Sequence, residues 1–299
     1  MRENNRAITK ILLLIAIGIA TLASAVLEGY TDNIQGYVIA FFAILLIVCI
    51  RSVSAMSFRL LLSLILFGFS IGFITQSIGV TSDMWCYDHT FIFAAFSWSL
   101  ATVTMVEISR KIRLKMGKIV DKPLNVITIL LIFAAIPLTL HLQDQWTYAK
   151  YRPIPKEYRP IPKECGESAN DETKNPTAEQ TECFICKTKP DKDSEKCAYE
   201  FEKNVPFWLY YITLTVFAVI TSYHLSFTEL ISLILAAWIM GGSAEWVGAT
   251  AKLWHFRTKA LPPLFLVLGC WPLEFLVIRN LAFKVLPKRD DPDILTAVS

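Results

Sequence analysis

Two carboxylic acids, Glu245 and Glu274, each lie inside a long apolar run of the chain. A charged side chain at mid-bilayer carries an insertion cost of about 2.5–3.5 kcal/mol, so an acid placed there needs a reason. Glu274 falls roughly 20 Å into its run at about 1.5 Å per residue. Its neighbours in WPLEFL are apolar, which suits it to carry a proton near neutrality. Pro272 frees a backbone carbonyl one turn earlier, and that carbonyl is expected to give the acid a local polar partner. Glu245 precedes Gly248 and Lys252 on one helix face, with His255 just beyond. A plain Glu245–Lys252 contact is one reading of that face. The other is chemical. A protonated carboxyl group among apolar and aromatic side chains can protonate a carbon–carbon double bond and shelter the resulting cation. The same acids, with His255, could instead move protons or bind substrate in a transporter.

Other side chains are weighed against these. Trp85/Tyr87 and Trp254/Phe256 fall at span ends, where aromatic residues usually anchor a protein at the membrane interface; substrate stacking by Trp85 and Trp254, with Gln76, is the alternative. His89 and His255 are placed to meet, but no histidine pair has metal-site spacing. Cys165, Cys183, Cys186 and Cys197 fall in one hydrophilic connection. Two disulfides are preferred there, because an exported loop too small to own a core is usually stapled. A four-cysteine zinc site is the alternative, since Cys183-x-x-Cys186 has metal-ligand spacing. No other cofactor is implied. Phosphate loops, nucleotide fingerprints and nucleophile elbows are absent from the sequence, and the one strongly basic connection follows from membrane topology, so nucleic-acid binding is excluded.

The elements that must position these residues are membrane helices. Hydrophobic residues make up 54% of the 299-residue chain and charged residues only 18%. Eight apolar runs, at 8–27, 36–50, 60–79, 90–108, 124–142, 206–223, 227–247 and 261–281, approach or reach the roughly 20 residues that span hydrocarbon. An all-α polytopic membrane protein results, with the lipid bilayer as its surroundings. Arg2, Arg6 and Lys10, then Arg51 and Arg59, the cluster from Arg110 to Lys122, and Lys284, Lys288 and Arg289 flank alternate connections. By the positive-inside rule both termini are cytoplasmic, in the cell membrane; Lys252, Arg257 and Lys259 run against this trend. Residues 1–25 also have the pattern of a secretory signal, with Ala23-Ser24-Ala25 as the cleavage site, but the first span is expected to be retained as the partner of the fifth.

That expectation comes from an internal echo. Residues 57–87 align without a gap on residues 226–256, an offset of 169, with eleven of 31 pairs identical. Two apolar helices match by composition, but composition alone does not align Gly72, Gly79, Thr81 and Trp85 with Gly241, Gly248, Thr250 and Trp254. The reading is of two parallel four-helix repeats: residues 1–122 with a cytoplasmic basic loop, residues 123–289 with an extracytoplasmic insertion at 143–205, and a cytoplasmic tail at 290–299. The insertion holds a tandem heptapeptide, YRPIPKE at 151–157 and 158–164, whose prolines favour a stiff extended spacer. Where the copies differ, Gln76 stands against Glu245 and Cys86 against His255.

Glu245, Gly248, Thr250, Trp254, Phe256 and Pro272-Leu273-Glu274, with a fainter copy at Gln76, Gly79, Thr81, Trp85 and Tyr87, resemble the membrane-embedded lycopene cyclase domain family and the related carotenoid hydratases. Phe275 stands where that family usually has a second acid, and the first copy has no Pro-Leu-Glu. The resemblance implies acid-catalysed, non-redox lipid chemistry on a hydrophobic isoprenoid or carotenoid substrate, with Glu274 or Glu245 as the proton donor. A proton-coupled transporter or channel, and a non-catalytic assembly factor that uses the cysteine loop, are the competing expectations.

Overall fold

The computed structural model describes residues 2–34, 36–52, 56–82, 84–87, 90–116, 122–142, 205–256 and 263–285. Cys165, Cys183, Cys186, Cys197, the tandem heptapeptide, the tail at 290–299, His89 and the side chains of Cys86 and His255 lie outside these described residues.

Eight α-helices fall among them: α1 (Arg2–Leu27), α2 (Gly36–Ser52), α3 (Phe58–Thr81), α4 (Ile92–Arg113), α5 (Lys122–Leu142), α6 (Val205–Ser222), α7 (Phe227–Thr250) and α8 (Trp271–Lys284), the last entered through a π-helical turn, Leu266–Cys270. Each corresponds to one apolar run. Seven segments are long and apolar enough to cross a membrane, and α2, at 17 residues, is the shorter apolar helix. The protein is therefore an all-α, multi-pass membrane protein whose lipid-facing residues, such as Ile19, Leu131 and Ile220, stand exposed on the outer helices.

Helices α4 and α8 form the centre. Helix α4 packs on α1, α2, α3 and α7, while α8 packs on α3, α6 and α7. Small and hydroxylated side chains make this close approach feasible, as expected where helices associate without a hydrophobic drive. Ser99 of α4 donates to the Ile65 carbonyl of α3 at 3.0 Å, and Cys49 of α2 reaches the Thr104 hydroxyl at 3.4 Å.

Two helix starts are set alike. Ser57 caps α3 by accepting from the Leu60 amide, and Ser226 caps α7 by accepting from the Glu229 amide. The second is a full capping box, because the Glu229 side chain returns to the Ser226 amide. At the other ends of these helices, β1 (Trp85–Cys86) and β2 (His255–Phe256) pair antiparallel, with Trp85 opposite Phe256 and Cys86 opposite His255.

At the end of the bundle away from this ladder, Glu107 accepts two bonds from Arg110, at 2.9 and 2.7 Å. Glu229 pairs with Arg113 at 3.1 Å. A helix-end position suggests that Arg279 would snorkel to the membrane surface, but its side chain is only 7% exposed. It lies 4.0 Å from Glu229, donates to Asn280 and covers the Phe283 ring. Its acidic neighbour comes from α7 and its amide partner from α8 itself.

Candidate functional site

The two strand-bearing connections fold back over α3 and α7, and glycines decide how closely. A Cβ built on Gly79 would fall 1.8 Å from the Trp85 ring, and one on Gly248 would fall 1.9 Å from the Trp254 ring. Each glycine therefore seats an indole that any larger residue would displace. This corrects the expectation that these tryptophans anchor the protein in the interface: Trp85 is 4% exposed, and both indole N–H groups point inward.

Their acceptors are the two residues singled out by sequence comparison. Gln76 Oε1 accepts from Trp85 Nε1 at 2.9 Å and from the Tyr87 hydroxyl at 2.5 Å. Glu245 accepts from Trp254 Nε1 at 3.0 Å through Oε2, and from Trp271 Nε1 at 2.8 Å through Oε1. Indole N–H is a donor only, so both Glu245 oxygens are held as acceptors. No Glu245–Lys252 contact forms; Lys252 is exposed and has left the helix at φ 56°.

Glu274 is buried, at 1% exposure. Its Oε1 accepts from the Tyr211 hydroxyl at 2.5 Å and from Thr75 Oγ1 at 2.9 Å. Thr75 is in turn 2.8 Å from the Tyr210 hydroxyl. Among the described residues Oε2 of Glu274 receives no hydrogen bond. The carbonyl freed by Pro272 does not serve this acid as expected: Leu268 O accepts from Trp238 Nε1 at 3.3 Å instead. The π-helical turn places that carbonyl on the Trp238 side.

One cavity of ≈ 40 Å³ joins these groups; Gln76, Trp85, Glu245, Trp254 and Glu274 all line it. Trp98 of α4 and Trp271 of α8 stack across its middle with ring centroids 4.1 Å apart and 16° between planes. Trp271 and Glu274 share a face of α8 at i,i+3 spacing, and Trp98 and Ala101 share a face of α4. Ala101 also lines the space, and its small side chain leaves room near the acid. Tyr87 closes one side against Trp254, ring centroids 6.1 Å apart.

Five of the six sequence-selected catalytic or substrate-binding residues thus meet in one place. For the sixth, His255, only the backbone lies within the described residues. Sequence reasoning did not single out Thr75, Tyr210, Tyr211, Trp98 or Trp271. The WPLE string and the adjacent tyrosines at 210 and 211 were the available signals. No group of three or more histidine, cysteine or acidic residues suited to a metal occurs among the described residues, and the two cysteines within the spans, Cys49 and Cys270, are buried free thiols.

The fold and the site define a multi-pass helical membrane protein with paired acids in an indole-lined cavity. Compared with known proteins, the chain matches no family model, no curated sequence and no solved structure.

Proposed function

We propose that this protein is a membrane-embedded enzyme in which Glu274 protonates a double bond of an isoprenoid or similar lipid, without redox chemistry. The observation that carries this reading is the asymmetry of Glu274. Two hydroxyl donors fix Oε1, while Oε2 has no hydrogen-bond partner among the described residues and Glu274 borders an aromatic cavity. A proton on Oε2 is therefore the one available to give. The cation formed by that transfer meets indole faces and the Glu245 carboxyl group, which is locked by Trp254 and Trp271. Both are fixed before reaction, and such preorganised groups stabilise charge as it develops. A cavity of ≈ 40 Å³ is far smaller than the roughly 300–1,000 Å³ of an ordinary ligand pocket. The reacting end of a chain enters only as the lining side chains move.

The asymmetry sits within a duplicated scaffold of two parallel four-helix repeats. Matching serine caps, matching glycine–indole seats and the Cys86–His255 pairing of aligned positions support duplication. With the positive-inside pattern, this reading puts both termini in the cytoplasm and the cysteine insertion outside, with disulfides preferred over zinc.

Comparison of lipid extracts from cells expressing the protein, its Glu274→Gln variant and neither tests the enzymatic reading. New or depleted isoprenoid species are expected only with the unaltered protein; three identical profiles would overturn it. A second reading, proton-coupled transport, draws on the cavity's place between α3, α4, α7 and α8, where the proposed repeats meet. Identical lipid profiles together with a pH-gradient-dependent flux that Glu274→Gln abolishes would favour it.

A further inference from the structure

The acid at the cavity is not isolated; a line of hydroxyls leads away from it. Thr75 has one O–H, and it is given to Glu274 Oε1 at 2.9 Å. With that proton committed, the 2.8 Å contact between Thr75 and Tyr210 must be donated by the tyrosine. The direction is therefore set: Tyr210 to Thr75, Thr75 to Glu274. Tyr211, next in the chain, behaves differently. It is fully buried and donates directly to the same oxygen. Tyr210 is partly exposed on the flank of α6, with its hydroxyl turned inward.

We propose that Tyr210 and Thr75 form a relay that returns a proton to Glu274 after its Oε2 proton has been given away. Thr75 lines the cavity and Tyr210 stands one hydroxyl further from it, and both act on the reaction through Glu274. The proton of Thr75 Oγ1 moves to Glu274 Oε1 as the Tyr210 proton moves to Thr75, and water or hydronium reaching Tyr210 replaces the last one. A half-turn of the carboxyl group then carries the new proton to the side that Oε2 occupied. Thr75 and Tyr210 each gain one proton as they lose one, and Glu274 regains the one it gave, so the net event is a proton passed from solvent to the carboxylate, with nothing oxidised or reduced. The titratable groups around Glu274 are Tyr210, Tyr211, Cys270 and Glu245; of these, Tyr210 alone is joined through a second hydroxyl.

The relay rests on the reading that Glu274 exchanges its proton during the working cycle, which the enzymatic and transport readings share. Its test needs no substrate. Infrared spectra of the full-length protein in lipid nanodiscs, transferred from H2O to D2O, follow the protonated carboxyl band that Glu274→Gln removes. Thr75→Val and Tyr210→Phe are expected to slow deuterium exchange of that band by roughly 10²-fold, the lower range for a positioned proton-transfer group. Thr75→Ser should restore the rate, and Tyr211→Phe, which removes a donor but no link, should leave it as fast as in the unaltered protein. Equal exchange rates in Thr75→Val and the unaltered protein would overturn the relay alone. Absence of any band lost in Glu274→Gln would overturn the relay and the proton-donor role together.

Discussion

Cys86 and His255, 169 residues apart in the chain, stand directly opposite one another in the antiparallel ladder. Under the proposed duplication these two positions are equivalent, and a twofold axis is the arrangement that brings equivalent positions together. The neighbouring pair in the ladder is Trp85 with Phe256. Opposed positions in such a ladder stand about 4.5–5.5 Å apart at Cα, within disulfide range of roughly 4.4–6.8 Å. His255→Cys is therefore expected to cross-link to Cys86 on mild oxidation, seen as a joined peptide by mass spectrometry. Equal or better cross-linking of Cys86 by Phe256→Cys would show that the register is different.

The glycine seats make a second expectation. Gly79→Ala or Gly248→Ala forces a methyl group into an indole ring, which cannot swing away without breaking its hydrogen bond to Gln76 or Glu245. Overpacking of this kind costs about 1–3 kcal/mol, and a lost buried hydrogen bond adds to it. Both variants should unfold at lower temperature in detergent, with altered tryptophan emission. Gly242→Ala is the control, since its Cβ would meet only Val267, at 3.7 Å. A Gly248→Ala variant as stable as Gly242→Ala would refute the seat.

The spans could be read from sequence because hydrocarbon thickness demands long apolar runs, and α1 to α8 coincide with the eight found. The site was half legible. Glu245 and Glu274 stood out because charge in an apolar run is costly, and the constant offset drew attention to Gln76, Trp85 and Trp254. Thr75, Tyr210 and Tyr211 were hidden because hydroxyls are ordinary in membrane helices, and only packing reveals which of them converge. Trp98 and Trp271 were hidden because they stand 173 residues apart, four more than the offset of 169, so the ungapped alignment ends before it reaches them. Trp85 and Trp254 were misread as anchors, since span-end position says nothing about which way an indole turns.

Glu229 holds the opposite end of the bundle. It caps α7 through Ser226 and accepts from Arg113 of α4, with Arg279 of α8 at 4.0 Å. The Arg113 and Arg279 side chains are only 15% and 7% exposed, so removing the carboxylate withdraws a shared acidic partner from two largely enclosed positive charges. Glu229→Ala is expected to cost about 3–5 kcal/mol in denaturant unfolding, the range for breaking a buried pair from one side. Glu229→Gln, which keeps an oxygen for the cap, should cost less. A loss under about 1 kcal/mol for Glu229→Ala would reduce the pair to the value of an exposed one.

Glu28 offers a test by pH. Both its carboxyl oxygens are enclosed, beside the Ile92 and Phe93 amides at the start of α4, and among the described residues neither closes a well-aligned hydrogen bond. Two effects oppose each other. Burial raises its pKa, whereas the amides and the Thr90 hydroxyl favour the anion and lower it; burial is the larger, so the folded value lies above the ordinary one. The folded state then binds more protons than the unfolded chain between the ordinary value, about 4.3, and the raised one. Stability from this group is complete below the ordinary value and is lost as pH rises through the raised value. Glu28→Gln removes the titration. The variant should melt at a higher temperature than the unaltered protein at neutral pH, with the difference shrinking to nothing below about pH 4. Melting curves across that range decide the matter. If Glu28→Gln is instead the less stable protein at neutral pH, the helix-start amides outweigh burial, and Glu28 acts as a charged cap on α4.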